Sequence, residues 1–481
     1  MAEEKIFRRS LGLWSATAIV IGSVIGSGIF IRPADIAALL GSPYLIFSVW
    51  IVAGAFTFFS ALVQAEVGAM LPVTGGQYAF MRTMYGNFWA YLYGWAQFAV
   101  VNTAGTVAIC FICAQYTTYF FALPHFSVAT EQTFALHLPA IGTVFPLENF
   151  GVKMLTIFYL AVLTIVNYRS TSAGSGLQRF LTAIKIFSVA FIVLGFFFSG
   201  NGEMQNLNSN SLFIHPIGFN LLTAFVAAVT GALFSYDGWG NVIFVVGEMK
   251  SPQKNLPKSL IIGLGVCILC YITITAAYLY MMPVEAIANS KLVASDAAQV
   301  AFGNVGGGII AAFIIISTLG CVNANILTPP RLTFAMAHHK EFFHFAGKIH
   351  PRFHTPSNAL WLHLGWMIFT VLIGSFYLLA DMFIFVTWCF NLMIVYGLFV
   401  LRKKMPDVER PFKVWGYPYI PIVVLILTLA YLLITLYTDI TSYLDGKVPV
   451  INSVFGIAIT LAGVPLYLFF RKRLKKNSEQ E

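Results

Sequence analysis

Two short glycine-rich stretches contain the residue types that could bind a small polar molecule. The first, GSVIGSGIF, contains Gly22, Gly26 and Gly28, and the second, FSYDGWGN, runs from Phe234 to Asn241. Each stretch lies in the middle of a long apolar run. Because each glycine weakens a helix by about 1 kcal/mol relative to alanine, we predict that both apolar helices are interrupted there.

A helix that is interrupted inside a membrane brings two opposite partial charges to one place. Its unwound backbone exposes N–H and C=O groups, which at that depth are tolerated only against protein or a water-filled cavity. The positive end of one half-helix suits a carboxylate, and the negative end of the other suits an ammonium. A free α-amino acid carries both groups, so the two stretches favour an amino-acid site. For the first stretch by itself, the alternative is a helix-packing face on Gly22 and Gly26 with no ligand.

Charged and polar side chains inside apolar runs are a second sign of function. Asp237 lies in mid-run, where a carboxylate is costly unless it faces a cavity or a partner, so both a functional and a paired structural acid are considered. Lys185 lies near one end of its run, where its side chain can reach the interface, and both roles stay open. Asn323, in STLGCVNAN, can bond to a ligand or to a neighbouring helix. Glu66 and Glu248 are interpreted as interfacial or gating residues.

The surrounding chain has the composition of a membrane protein with many spans. Of its 481 residues, 58% are hydrophobic and only 10% are charged, which is too little charge to cover a soluble protein of this size. Twelve apolar runs are each long enough to cross the hydrocarbon core as a helix. They are 13–40, 44–71, 87–121, 149–168, 180–199, 217–246, 257–282, 305–337, 357–377, 379–401, 417–438 and 449–470.

The distribution of basic residues predicts the orientation of these spans. With a cytoplasmic N-terminus, four of the 28 lysines and arginines fall in outside segments and Lys185 falls in a span, so that 23 lie inside. The four outside are Arg32, Lys153, Lys291 and Lys447. The positive-inside rule therefore predicts that both termini are cytoplasmic. Topology also accounts for the net charge of +9, so no nucleic-acid partner is expected.

Signatures of enzymes and of ATP-driven pumps are missing from the sequence. The chain has no GxxxxGK[ST] loop, no HExxH and no GxSxG, so we expect neither an enzyme nor ATP-driven transport by this chain alone. All six cysteines lie inside apolar runs and are interpreted as packing residues. We expect no catalytic residue, no metal and no cofactor.

Four motifs give the chain a family resemblance. GSVIGSGIF, FSYDGWGNVIFVVGEMKSPQKNLPKSL, LGCVNANILTPPRL and ERPFKV resemble the L-type amino-acid transporter family of the amino acid–polyamine–organocation superfamily. The resemblance covers essentially all twelve spans and implies an all-α polytopic membrane protein with a LeuT-like fold, in a single transporter domain over 1–481. Two inverted five-helix repeats, 13–199 and 217–401, would have helices 1 and 6 unwound, and 417–470 would hold helices 11 and 12.

The resemblance also implies roles for backbone groups at the two interruptions. The backbone around Gly26, Ser27 and Gly28 would hold the carboxylate of the substrate. Its α-ammonium would be accepted by carbonyl groups near Val24 and at Phe234 and Ser235.

Roles for side chains follow from the same resemblance. Phe234 would be an aromatic lid, and Tyr236 and Asp237 would shape the pocket for the substrate's side chain, with Asn323 as a further candidate contact. Lys185 would reach toward the interruption of helix 1. Its ammonium would stand where sodium binds in sodium-coupled relatives, which implies sodium-independent exchange.

The sequence departs from the family pattern at two places. Residues 122–148 contain no cysteine, so no disulfide-linked heavy chain is expected, and the chain is interpreted as a stand-alone, prokaryotic-type member. Position 237 is Asp, where members that take large neutral substrates have Gly. An acid there either favours cationic side chains or narrows the pocket for small neutral ones.

The predicted function is sodium-independent exchange of neutral L-amino acids by alternating access, in a multi-pass protein of the cell membrane. One alternative is a proton-coupled symporter with Lys185 as the proton carrier, and another is an exchanger that accepts cationic amino acids through Asp237. A non-transporting amino-acid sensor on the same fold is less favoured, because the predicted tails are short.

Overall fold

The computed structural model describes residues 11–72, 75–169, 171–208, 216–353 and 355–478, and most of them are helical. The basic residues Lys5, Arg8 and Arg9, which contribute to the predicted orientation, lie outside these ranges.

The helices follow one another along the chain with short connections. In order they are α1 (Leu13–Val24), α2 (Gly28–Leu40), α3 (Pro43–Met70), α4 (Gly76–Tyr85), α5 (Asn87–Ala96), α6 (Thr103–Thr117), α7 (Val128–Thr133), α8 (Phe150–Arg169), α9 (Thr171–Phe198), α10 (Gly218–Tyr236), α11 (Asn241–Phe244), α12 (Pro252–Met281), α13 (Val284–Asn289), α14 (Val293–Leu327), α15 (Pro329–His338), α16 (Ser357–Ile373), α17 (Phe376–Lys404), α18 (Tyr419–Leu444), α19 (Asn452–Leu461) and α20 (Gly463–Ser478). Strands β1 (Leu136–Leu138) and β2 (Gly142–Val144) form an antiparallel hairpin, with His137 opposite Thr143.

The described residues contain nine helical segments that are long and apolar enough to cross a membrane. The pair α1 and α2, bent by 47° at its break, makes a tenth candidate. Two further predicted spans correspond to shorter apolar helices, Phe187–Phe198 and Ser357–Ile373. The protein is therefore a helical membrane protein with many spans, as the composition predicts.

The backbone leaves the helical conformation at both glycine-rich stretches. α1 ends at Val24 and α2 begins at Gly28. α10 ends at Tyr236, Asp237 is extended, and the chain turns through Gly238 at φ +103° before α11 begins at Asn241. These breaks lie where the glycines predict them.

Packing brings the two breaks together in the interior of the bundle. α2 packs against α10, and α1 packs against α12. Trp50 on α3, Tyr236 on α10 and Tyr271 on α12 form a buried aromatic cluster, in which the rings of Tyr236 and Tyr271 are 4.8 Å apart. Such contacts between aromatic rings add to the stabilisation that burial provides, and here they hold α3 and α12 against the end of α10.

Two basic residues that the charge pattern assigns to outside segments are buried instead. Arg32 lies on α2 and is 4% exposed. Lys153 lies on α8, and its ammonium donates to the carbonyl oxygens of Phe145, Pro146 and Leu372 at 2.8, 3.2 and 3.2 Å. Arg32 pairs with Asp35 and with the distant Asp381, and Lys153 is bound by backbone groups. A count of charges along the chain does not reveal such burial.

Candidate functional site

A small cavity lies between the two breaks. The volume available to the centres of water molecules is about 80 Å³. Seven of the ten residues singled out from the sequence line this cavity. They are Val24, Gly26, Ser27, Gly28, Phe234, Ser235 and Asp237.

The two broken helices approach so closely that glycine is required at position 28. A Cβ atom added to Gly28 would lie 2.4 Å from the Oγ atom and 2.8 Å from the Cα atom of Ser235. The second of these is a backbone atom, which cannot move away as the end of a flexible side chain can. Any larger residue at position 28 therefore pushes the two breaks apart.

The ends of the half-helices give the cavity two electrostatic faces. α2 begins at Gly28, and the first N–H groups of a helix have no partner within it. Ser27 precedes them, and its buried hydroxyl has no hydrogen-bond partner among the described residues. α10 ends at Tyr236, so its last carbonyl groups are close by. This arrangement offers donors to an anion and acceptors to a cation a short distance apart.

Tyr271 joins the two breaks. Its hydroxyl oxygen lies 2.7 Å from the carbonyl oxygen of Val24 and 2.7 Å from that of Ser235. A tyrosine hydroxyl has one proton to donate, so it is shared between two carbonyl groups that the family resemblance assigns to the substrate's ammonium. Sequence reasoning missed Tyr271, and the available signal was a tyrosine in the middle of an apolar run.

Lys185 contacts the first break from behind the cavity. Its ammonium donates to the carbonyl oxygen of Gly22 at 2.9 Å and lies 2.9 Å from the sulfur of Cys321. The side chain is 1% exposed, and Lys185 is absent from the cavity lining, whereas Gly22 and Cys321 belong to it. Lys185 therefore acts on the cavity through the backbone of α1.

Asp237 lies beside the cavity and not against a charged partner in the described structure. It is half-buried and lines the cavity between the breaks. In the described part of the chain, no lysine or arginine lies within ion-pair distance of its carboxylate. Of the two interpretations of this acid, the geometry favours the one in which it faces a cavity.

Two other residues predicted to contact the substrate, Tyr236 and Asn323, do not line the cavity. The hydroxyl of Tyr236 donates to the carbonyl oxygen of Trp50 at 3.1 Å, and its ring belongs to the aromatic cluster. The side chain of Asn323 is fully buried and accepts a hydrogen bond from Asn167 at 2.8 Å. Asn325, two residues further on, lines the cavity instead.

A π-helical segment forms another part of the cavity wall. Between α5 and α6 the helix widens into a π-helical segment, Gln97–Asn102, and its last two residues, Val101 and Asn102, line the cavity. Such segments are rare and are often found at functional sites. The sequence of this run shows no interruption, so the residues alone did not identify Asn102.

One side of the cavity is closed by an aromatic residue beneath a buried cation. The ring of Phe234 lines the cavity, and the guanidinium of Arg32 lies 5.2 Å from its centroid. Arg32 also pairs with Asp35 on α2 at 3.2 Å and with Asp381 on α17 at 3.0 Å. The charges of this cluster tie α2 to α17 directly above Phe234.

Two broken helices around a small polar cavity in a helical membrane protein are typical of membrane transport proteins. Its sequence matches the amino acid permease family model over residues 11–465, and the chain belongs to that family. The resemblance to the L-type amino-acid transporters is thereby confirmed, and relatives across the whole length support it.

The relatives include proteins from bacteria and animals. A serine/threonine exchanger of Bacillus subtilis (strain 168) is 30% identical, with 98% of this chain and 99% of the relative covered. The b(0,+)-type amino acid transporter 1 of Mus musculus is 28% identical over 96% of this chain and 88% of its own length. The large neutral amino acids transporter small subunit 2 of Homo sapiens is 29% identical over 96% of this chain and 80% of its own length.

Proposed function

We propose that this protein is a secondary active transporter that exchanges neutral L-amino acids by alternating access, independently of sodium. The observation that carries the proposal is the position of the α2 N-terminus and the α10 C-terminus at one cavity. Opposite partial charges on these helix ends match the carboxylate and the ammonium of one amino acid. The relative named a serine/threonine exchanger, similar over its full length, supports exchange as the mode of transport.

The proposal includes the architecture implied by the family resemblance. Twelve spans would form two inverted five-helix repeats, 13–199 and 217–401, followed by two helices in 417–470. Both termini would be cytoplasmic in the cell membrane. Because residues 122–148 lack cysteine, the protein would work without a disulfide-linked heavy chain.

The size of the cavity supports a small substrate. About 80 Å³ is open to the centres of water molecules, so the cavity has room for a small polar molecule and little more. Serine, threonine and alanine are the first candidates.

Lys185 supports independence from sodium. Its ammonium donates to the carbonyl of Gly22 at the first break, in the region where the resemblance places sodium in sodium-coupled relatives. A fixed positive charge beside this carbonyl competes with a metal cation for the same oxygen and repels it. The proposal therefore assigns to Lys185 the charge that sodium supplies elsewhere.

The test is uptake into liposomes that contain the purified protein. Vesicles are loaded with serine, alanine, leucine, lysine or glutamate, or with no amino acid, and entry of labelled serine is followed in sodium and in potassium buffers. We expect uptake only with a neutral amino acid inside and at equal rates in both buffers. Uptake into empty vesicles driven by a pH gradient would contradict exchange and indicate the proton-coupled symporter.

A further inference from the structure

The segment between α6 and α8, residues 118–149, carries apolar side chains that the described part of the chain leaves uncovered. Phe121 is 67% exposed and Phe134 is 61% exposed. The exposed large apolar residues of the segment are Phe120, Phe121, Phe126, Val128, Phe134 and Leu136. Large apolar patches on a protein surface mark sites of contact with other proteins or with membranes, so this segment is a candidate for such a site.

The first part of the segment is fixed at the ends of two spans. It follows α6 and leads into α8, and both helices belong to segments that are long and apolar enough to cross a membrane. The carbonyl oxygen of Pro124 accepts a hydrogen bond from the N–H of Gly151 at 2.9 Å. The rings of Phe126 and Phe150 lie 5.0 Å apart. The chain therefore lies directly on the first turn of α8.

The hairpin of β1 and β2 is fixed at the end of a third span. The N–H of Thr143 donates to the carbonyl oxygen of Pro449 at 2.8 Å, and the N–H of Ile451 donates to that of Ile141 at 2.9 Å. The next residue, Asn452, begins α19 and with it another candidate span. The segment thus extends along the ends of three spans, at the depth where a bilayer changes from hydrocarbon to headgroups.

Polar groups next to the exposed apolar side chains are already paired within the protein. The carboxylate of Glu131 accepts a hydrogen bond from the N–H of Asn149 at 3.3 Å, which turns this charge toward the base of the segment. The hydroxyl of Ser127 accepts one from the N–H of Thr130 at 3.3 Å and caps α7. Because a paired polar group loses less on leaving water than a free one, these groups do not prevent the segment from approaching lipid.

We propose that the 118–149 segment lies in the membrane interface and inserts its exposed apolar side chains into the leaflet that adjoins α6 and α8. Its apolar surface continues that of α8, on which Phe158 is exposed as well. Apolar faces of interfacial segments enter the boundary between headgroups and acyl chains to a depth of about 5–10 Å. Residues 118–149 contain no lysine or arginine, so apolar contact holds the segment there, without attraction to anionic headgroups.

The test places a fluorescent probe on the segment of the full-length protein in liposomes. Phe121→Cys and Phe134→Cys are labelled with the environment-sensitive dye NBD and reconstituted into phosphatidylcholine vesicles, with and without a lipid that carries a nitroxide quencher near its headgroup. Both positions are exposed, so the substitutions should not disturb the fold. We expect a blue shift of the emission and a loss of fluorescence with the quencher lipid. Addition of phosphatidylglycerol should change neither result.

Lys447→Cys is the matched control. Lys447 lies on the same side of the molecule, two residues before Pro449, and its side chain is 70% exposed and paired with Asp445. A label there should emit as a probe in water does and should keep its fluorescence with the quencher lipid. Labelled wild type, in which four of the six cysteines are buried, gives the background.

Emission typical of water at position 121 or 134, or quenching there no stronger than at position 447, would overturn the proposal. A second copy of the chain is the other occupant that the apolar surface allows. In that case the blue shift would resist the quencher lipid and would disappear as the protein is diluted with lipid, and the proposal would again be wrong. The test needs no transport, so its outcome is independent of the proposed function.

Discussion

The ammonium nitrogen of Lys185 lies 2.9 Å from the carbonyl oxygen of Gly22. This bond joins α9 to the last turns of α1, just before the helix breaks. With a carbonyl oxygen and a thiol as its neighbours, the ammonium has no carboxylate to neutralise it among the described residues. Its charge is therefore directed at the backbone of the break.

Lys185→Met should reduce exchange at least about tenfold, because a hydrogen bond to a charged group is lost and the length of the side chain is kept. Initial rates of serine exchange in liposomes measure the effect. Lys291→Met, at an exposed position, is the matched control and should exchange at the wild-type rate. Wild-type exchange by Lys185→Met would remove the role assigned to this charge.

Replacing Gly28 should block substrate binding. Both Gly28→Ala and Gly28→Leu place a Cβ atom 2.8 Å from the Cα atom of Ser235, so the breaks must separate, and we expect exchange to fall below detection with leucine. Gly265→Ala on α12 has nothing within 4 Å of its new Cβ atom and should behave as the wild type. Normal exchange by Gly28→Leu would show that the site lies elsewhere.

Asp237→Asn should change which substrates are accepted. The side chain lines the cavity between the breaks and has no cationic partner in the described ranges, so we expect any transport of lysine and arginine to fall about tenfold while serine exchange is largely kept. A panel of labelled amino acids in liposomes measures this selectivity. An equal loss for every substrate would indicate that Asp237 supports the structure of the break.

Tyr271→Phe should loosen the connection between the two broken helices. It removes a hydroxyl that two carbonyl groups share, and we expect a loss of about 1 kcal/mol in stability together with a higher KM for serine. Thermal unfolding in detergent and exchange kinetics measure the two effects. Tyr44→Phe, whose hydroxyl bonds to Asn208 at an exposed position, should alter neither quantity.

The sequence predicts the local features of the site well, because they depend on neighbouring residues. Glycines, which weaken a helix, mark both breaks, and the residues around them line the cavity. Contacts between distant segments were missed. Tyr271 acts on carbonyls contributed by α1 and α10, and the partner of Arg32, Asp381, is 349 residues away. For Asn323 the sequence allows either a ligand or a neighbouring helix as partner, and in the structure its side chain bonds to Asn167 on α8.

The Arg32 cluster has a consequence for how this side of the molecule would open. Arg32, Asp35 and Asp381 have side chains that are 5%, 23% and 28% exposed, so their charges are largely shielded from solvent. Separation of α2 from α17 would break the ion pair between Arg32 and Asp381, and both ions would be hydrated. Opening would therefore hydrate ions as well as wet the aromatic rings of Phe234 and Phe376, against which Arg32 packs. An osmolyte that is excluded from protein surface, such as sucrose, would favour the closed arrangement.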